Sequence, residues 1–72
     1  MIGEVLVSGR DFYGNKFIYP KNLIYVKTIS DVGLFKVVMG TENSKEFSVL
    51  HVCNTVSGCE KYIRNLRKGG VL

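Results

Sequence analysis

The run KFIYPKNLIYVKTI, residues 16–29, limits the fold more than any other stretch. Its β-branched and aromatic side chains suit a strand, yet Pro20 stands in the middle. Proline has no N–H to give to a ladder, so a central strand does not pass through it unbroken. The chain must bend at position 20 or lie on a sheet edge there.

Shorter runs of the same kind flank this one. GEVLV (3–7) reads as a first strand, and RDFYGNK (10–16) as a hairpin turn in which the Gly14-Asn15 pair supplies positive φ. After SDVG (30–33), LFKVVMG (34–40) alternates Phe35, Val37 and Met39 with Leu34, Lys36 and Val38, giving one strongly apolar face and one mixed face. TENSK (41–45) reads as the next turn. In EFSVLHV (46–52), Phe47 and Val49 alternate with Glu46 and Ser48, but Leu50 and Val52 fall on the other parity. That switch implies a bulge, or burial of both faces, near the strand's end, with the strand stopping at Asn54.

The last segment, SGCEKYIRNLRKGG (57–70), has helical spacing. Cys59, Tyr62, Ile63 and Leu66 fall at i, i+3, i+4 and i+7 on one apolar stripe, and the glycine pair at 69 and 70 supplies a stop. Ser57 and Glu60 have the spacing of a capping box. About three turns are marginal alone, so the stripe must dock on the sheet. The expectation is an α+β fold: an antiparallel sheet of about four strands with one C-terminal helix packed on it, in a single small domain over 1–72. Phe35, Phe47 and Tyr62 are expected in the core.

Chemistry is sparse. The cluster HVCNTVSGCEK (51–61) holds His51, Cys53 and Cys59, the weak candidates for a metal site. A structural zinc site wants four ligands, usually with C-x₂₋₄-C pairs, whereas the spacing here is H-x-C-x₅-C with Glu60 as the nearby fourth candidate. The ordinary reading is small thiols filling a strand-to-helix joint. Cys59 near a helix start, with His51 as base, is also the minimal kit for a thiol nucleophile, since a helix dipole lowers a thiol pKa. Its place on the apolar stripe argues for burial and inertness instead, and a Cys53–Cys59 disulfide is disfavoured in a reducing compartment. The acids Glu4, Asp11, Asp31, Glu42, Glu46 and Glu60 are scattered singly, with no carboxylate pair, phosphate loop or nucleophile elbow. The chain is read as a non-enzyme with no cofactor.

Surfaces say more. Ten Lys and Arg against six Asp and Glu give a net charge of +4, which favours an acidic partner or a phosphate backbone without forming a dense basic block. Lys61, Arg64, Arg67 and Lys68 cluster on the helix. Phe12, Tyr13, Phe17 and Tyr19 surround the hairpin turn with Arg10, Lys16 and Lys21. The ordinary reading is a hairpin folding over the sheet's open end, and the sharper one is that basic and aromatic groups together form a protein hot spot or a stacking platform for single-stranded nucleic acid. The absence of a basic-then-apolar leader and of a long apolar run reads as soluble, cytoplasmic and without membrane contact.

Residues 16–66, with NLIYVKT as the clearest part, resemble the opening half of a LytTR domain, a β-rich bacterial DNA-binding module. The layout is also similar to small flagellar proteins of the FlbD type. The resemblance implies a β-rich fold. The chain ends where a LytTR domain continues into its last strands and DNA-contacting loop, so no functional residue is carried over. The leading expectation is a small interaction protein docking on a protein partner, of the size of phage or mobile-element inhibitors and adaptors. The alternative is a nucleic-acid-binding module using the basic helix, and a homodimer through an open sheet edge stays open.

Overall fold

The structure, a computed structural model, describes residues 5–42 and 45–70. Five strands form two antiparallel sheets: β1 (Leu6–Arg10) pairs with β2 (Lys16–Pro20), and β3 (Ile24–Asp31), β4 (Leu34–Thr41) and β5 (Ser48–Cys53) make a three-stranded sheet in that order. A helix, α1 (Val56–Lys68), follows. The α+β class is as the sequence implied, but one sheet of about four strands becomes a ribbon and a sheet. Pro20 makes the division: it ends β2, and a 3₁₀ turn over Lys21–Leu23 turns the chain into β3.

The first strand lies later than expected, at Leu6–Arg10, and residues 3 and 4 of the GEVLV reading lie outside the described residues. The β1–β2 loop is Phe12, Tyr13 and Gly14, between Asp11 and Asn15. Gly14 has φ of 83°, as the last residue of a three-residue hairpin loop requires, whereas Asn15 needs no positive φ. In the β3–β4 connection, Asp31 pairs with Leu34 across the two-residue turn Val32-Gly33. Both turn residues have positive φ, at 49° and 76°; this is ordinary for glycine but strained for a β-branched valine.

The parity switch in β5 is a bulge. Val37 pairs with His51 and Val38 with Val49, leaving Leu50 as the extra residue. Through these pairs Phe35 and Val37 share a face with Cys53 and His51, and this is the face α1 covers, where the rings of His51 and Tyr62 stack in parallel at 4.4 Å. The other face is covered too. Val37, Val38, Met39 and Gly40 are buried in succession, and the Phe47 ring lies so close to Gly40 that a Cβ there would sit 2.7 Å from it and 3.1 Å from the Glu46 carbonyl. The core therefore centres on β4: among the described residues its fully buried apolar side chains are Val37, Val38, Met39 and Cys59. Phe35, Phe47 and Tyr62, expected inside, are only half-buried.

The helix presents Cys59, Tyr62, Ile63 and Leu66 inward as the spacing required. It starts two residues earlier than the capping-box reading implied. Thr55 is the N-cap, its hydroxyl accepting from the Gly58 N–H at 3.2 Å, so Ser57 and Glu60 are not the cap. Gly69 closes the helix, its N–H donating to the Asn65 carbonyl, and Gly70 takes φ of 78°. No helix among the described residues is long and apolar enough to cross a membrane.

Candidate functional site

Three places gather the residues of interest: the tip of the β1–β2 ribbon, the outer face of α1, and the β5–α1 joint.

At the tip, Asp11 organises the loop. Its carboxylate accepts from the backbone N–H groups of Tyr13 at 2.9 Å and Asn15 at 2.8 Å, its own N–H donates to the Asn15 carbonyl, and its carbonyl accepts from Gly14. Arg10 Nη1 donates to the Gly14 carbonyl at 3.0 Å. The Phe12 N–H reaches the Val49 carbonyl of β5 and ties the tip to the bulge of the other sheet. Thus fastened, Phe12 and Tyr13 are 56% and 61% exposed and pack edge to face at 5.4 Å. The aromatic hairpin splits in function: Phe12 and Tyr13 face outward, while Tyr19 turns in to share a hydrogen bond of 2.7 Å with buried Ser48.

Arg10 and Lys16 face each other across the ribbon as a pair of exposed like charges. Such a pair is mildly destabilising by itself and is relieved by an anion placed between its members. A cleft of about 460 Å³ lies beside it, lined by Ser8, Gly9, Arg10, Lys16, Phe17 and Ile18. Below the tip, Lys36 pairs with Asp31 at 2.9 Å. The hydrogen bond to the Asp31 carboxylate holds the lysine above its ordinary pKa against partial desolvation, with Tyr13 adding to the effect.

On α1, Lys61, Arg64, Asn65 and Lys68 follow one another at helical spacing and line a shallow groove of about 420 Å³. Arg67 is exposed but does not line it. The groove thus brings together three of the four cations named from sequence.

At the joint, Cys53 and Cys59 meet as free thiols. Burial, and then the neighbouring Cys53 thiol, push the Cys59 thiol above its ordinary pKa, the opposite of what an activated nucleophile needs. His51 is stacked on Tyr62 rather than directed at a thiol. Among the described residues no group of three His, Cys, Asp or Glu side chains is arranged to hold a metal ion. His51, Cys53 and Cys59 lie together where β5 meets the first turns of α1. Asp11 and Ser48 were the residues missed from sequence, although an Asp two residues before a turn amide is a readable Asx-turn signal.

The fold and these surfaces together describe a small α+β protein with an exposed aromatic tip and a basic helix face. No protein-family model, curated protein or solved structure matches the chain.

Proposed function

We propose that the protein is a non-enzymatic interaction module that docks on a protein partner through the tip of the β1–β2 ribbon, as an inhibitor or adaptor does. The observation that carries this reading is the tip itself. Phe12 and Tyr13 are large and exposed. The backbone of their loop is held by its N–H groups donating to the Asp11 carboxylate and the Val49 carbonyl, and by Arg10 donating to the Gly14 carbonyl. A pre-ordered aromatic anchor loses little conformational entropy on binding, which is how a few residues come to dominate an interface. The facing Arg10 and Lys16 give the anchor a basic rim. The partner that fits has an apolar pocket for Phe12 and Tyr13 beside an acidic group.

A second reading rests on the Lys61, Arg64, Asn65 and Lys68 stripe, which suits a phosphate backbone. Affinity capture from lysate, with and without nuclease, separates the two. The docking reading expects a protein retained after nuclease by the wild-type chain and lost with Phe12→Ala/Tyr13→Ala. Loss of all bound material on nuclease treatment, with binding that weakens steeply with salt and on Arg64→Ala/Lys68→Ala, establishes the nucleic-acid reading instead.

A further inference from the structure

The joint between β5 and α1 is built around two sulfurs. Gly58 stands third in the helix, although glycine is the poorest helix former after proline. What lies beside it explains the choice. A Cβ at position 58 would come 2.9 Å from the Cys53 Sγ and 3.3 Å from the Cys53 Cβ, so glycine is what leaves this thiol its seat. Cys59 follows, and its Cβ leans toward the start of the helix as every helical Cβ does. The side chain thus turns back toward Cys53, and the two thiols are in hydrogen-bond contact. They differ in access. Cys59 is fully buried, whereas Cys53 is only half-buried. A small oxidant therefore reaches Cys53 first, and whatever forms there already touches a second thiol.

We infer that Cys53 and Cys59 are a peroxide-sensitive modification site, closing a reversible disulfide in which Cys53 is oxidised and Cys59 resolves it. In the first step the Cys53 Sγ attacks one peroxide oxygen and the O–O bond breaks. The thiol proton leaves with the other oxygen as water, and Cys53 becomes a sulfenic acid. In the second step the Cys59 Sγ attacks the Cys53 sulfur. The S–S bond forms, the S–O bond breaks, and the departing hydroxide takes the Cys59 proton as a second water. Two thiols lose two electrons, and one hydrogen peroxide becomes two waters. Cys59, buried and held protonated, does not compete for the oxidant.

Contact between the thiols has a chemical consequence. The sulfenic acid meets Cys59 before it meets a second peroxide, so oxidation stops at the reversible disulfide and does not run on to the sulfinic acid. It has a structural consequence as well. The link closes a loop from 53 to 59 that contains the Thr55 cap, and so ties the first turn of α1 to the end of β5. Such a closure leaves the unfolded chain fewer conformations, and the linked form is the more stable one. The inference stands apart from the docking reading, since no residue of the joint belongs to the tip.

Excess hydrogen peroxide added to the folded full chain tests it, read by intact mass, peptide mapping of both cysteines and thermal unfolding. The wild-type chain should lose two hydrogens, gain no oxygen at either cysteine, and recover its starting mass with dithiothreitol. Its linked form should unfold at least about 5 °C above the reduced one. Cys59→Ala should accumulate sulfinic acid at Cys53. Gly58→Ala keeps both thiols but displaces the Cys53 Sγ, so a smaller share of it should link and a larger share should gain oxygen. Wild-type Cys53 that gains oxygen as readily as in Cys59→Ala overturns the inference. So do a disulfide that joins two chains, a linked form that unfolds at or below the reduced midpoint, and a Gly58→Ala chain that links as completely as the wild type.

Discussion

The two sheets of this protein are built from similar residues and behave differently. In the three-stranded sheet, β4 is enclosed on both faces, and four consecutive residues from Val37 to Gly40 are buried. In the ribbon, β1 and β2 have no fully buried residue, and Ile18 is 60% exposed. Apolar residues thus do two jobs here. Those on β4 stabilise the fold, and those on the ribbon remain available for contact. Mutations in the two regions should therefore separate stability from binding.

The largest expected effect is at the centre of β4. Met39→Ala should remove about 2–5 kcal/mol, a large part of what a domain this size has, while Phe12→Ala should change stability by about 0.5 kcal/mol or less. Urea unfolding of the two variants checks this, and equal losses would break the distinction between the regions.

The glycines sharpen the same contrast. Ala at Gly40 would push against the Phe47 ring and the Glu46 backbone and should destabilise by about 1–3 kcal/mol. Ala at Gly9 would meet only the far end of the Phe17 ring at 3.0 Å, so its loss should be smaller in the same unfolding series.

Next in size is the helix start, which holds α1 against the three-stranded sheet. Thr55→Ala should cost about 1 kcal/mol, whereas Ser57→Ala should be close to neutral, as read by thermal unfolding. The reverse order would restore the capping box read from sequence.

The smallest effect is alkaline. Cys59 keeps its proton in the folded state to higher pH than in the unfolded chain, where its ordinary value is 9.0. Above that value the unfolded state therefore binds fewer protons, and the contribution of the neutral buried thiol is lost as pH rises. Unfolding free energy measured from pH 7 upward should fall more steeply for the wild-type chain than for Cys59→Ala.

Much of this was legible because it follows local rules. Pro20 announced a break, the parity switch at Leu50 announced the bulge, and the spacing of Cys59, Tyr62, Ile63 and Leu66 gave the inward face of α1. What local rules do not carry is which faces meet. Phe35, Phe47 and Tyr62 are large enough to look like core, yet the enclosed place is the middle of β4. The break at Pro20 does not say that two sheets follow it, because that depends on how the ribbon folds back through Phe12 and Tyr19. The valine at φ of 49° runs against propensity and is set by the two-residue connection between β3 and β4. Of the candidate site, the aromatic and basic residues of the tip were readable, but their fixed arrangement rests on Asp11 and on Val49, distant in sequence.

The central claim is that the tip binds and the core holds. The most direct test follows one double variant, Phe12→Ala/Tyr13→Ala, through urea unfolding and through quantitative binding to the protein captured by the wild-type chain. An unfolding midpoint close to wild type, with affinity reduced at least about tenfold, is the predicted result. A variant that binds the partner as tightly as the wild-type chain would contradict the account.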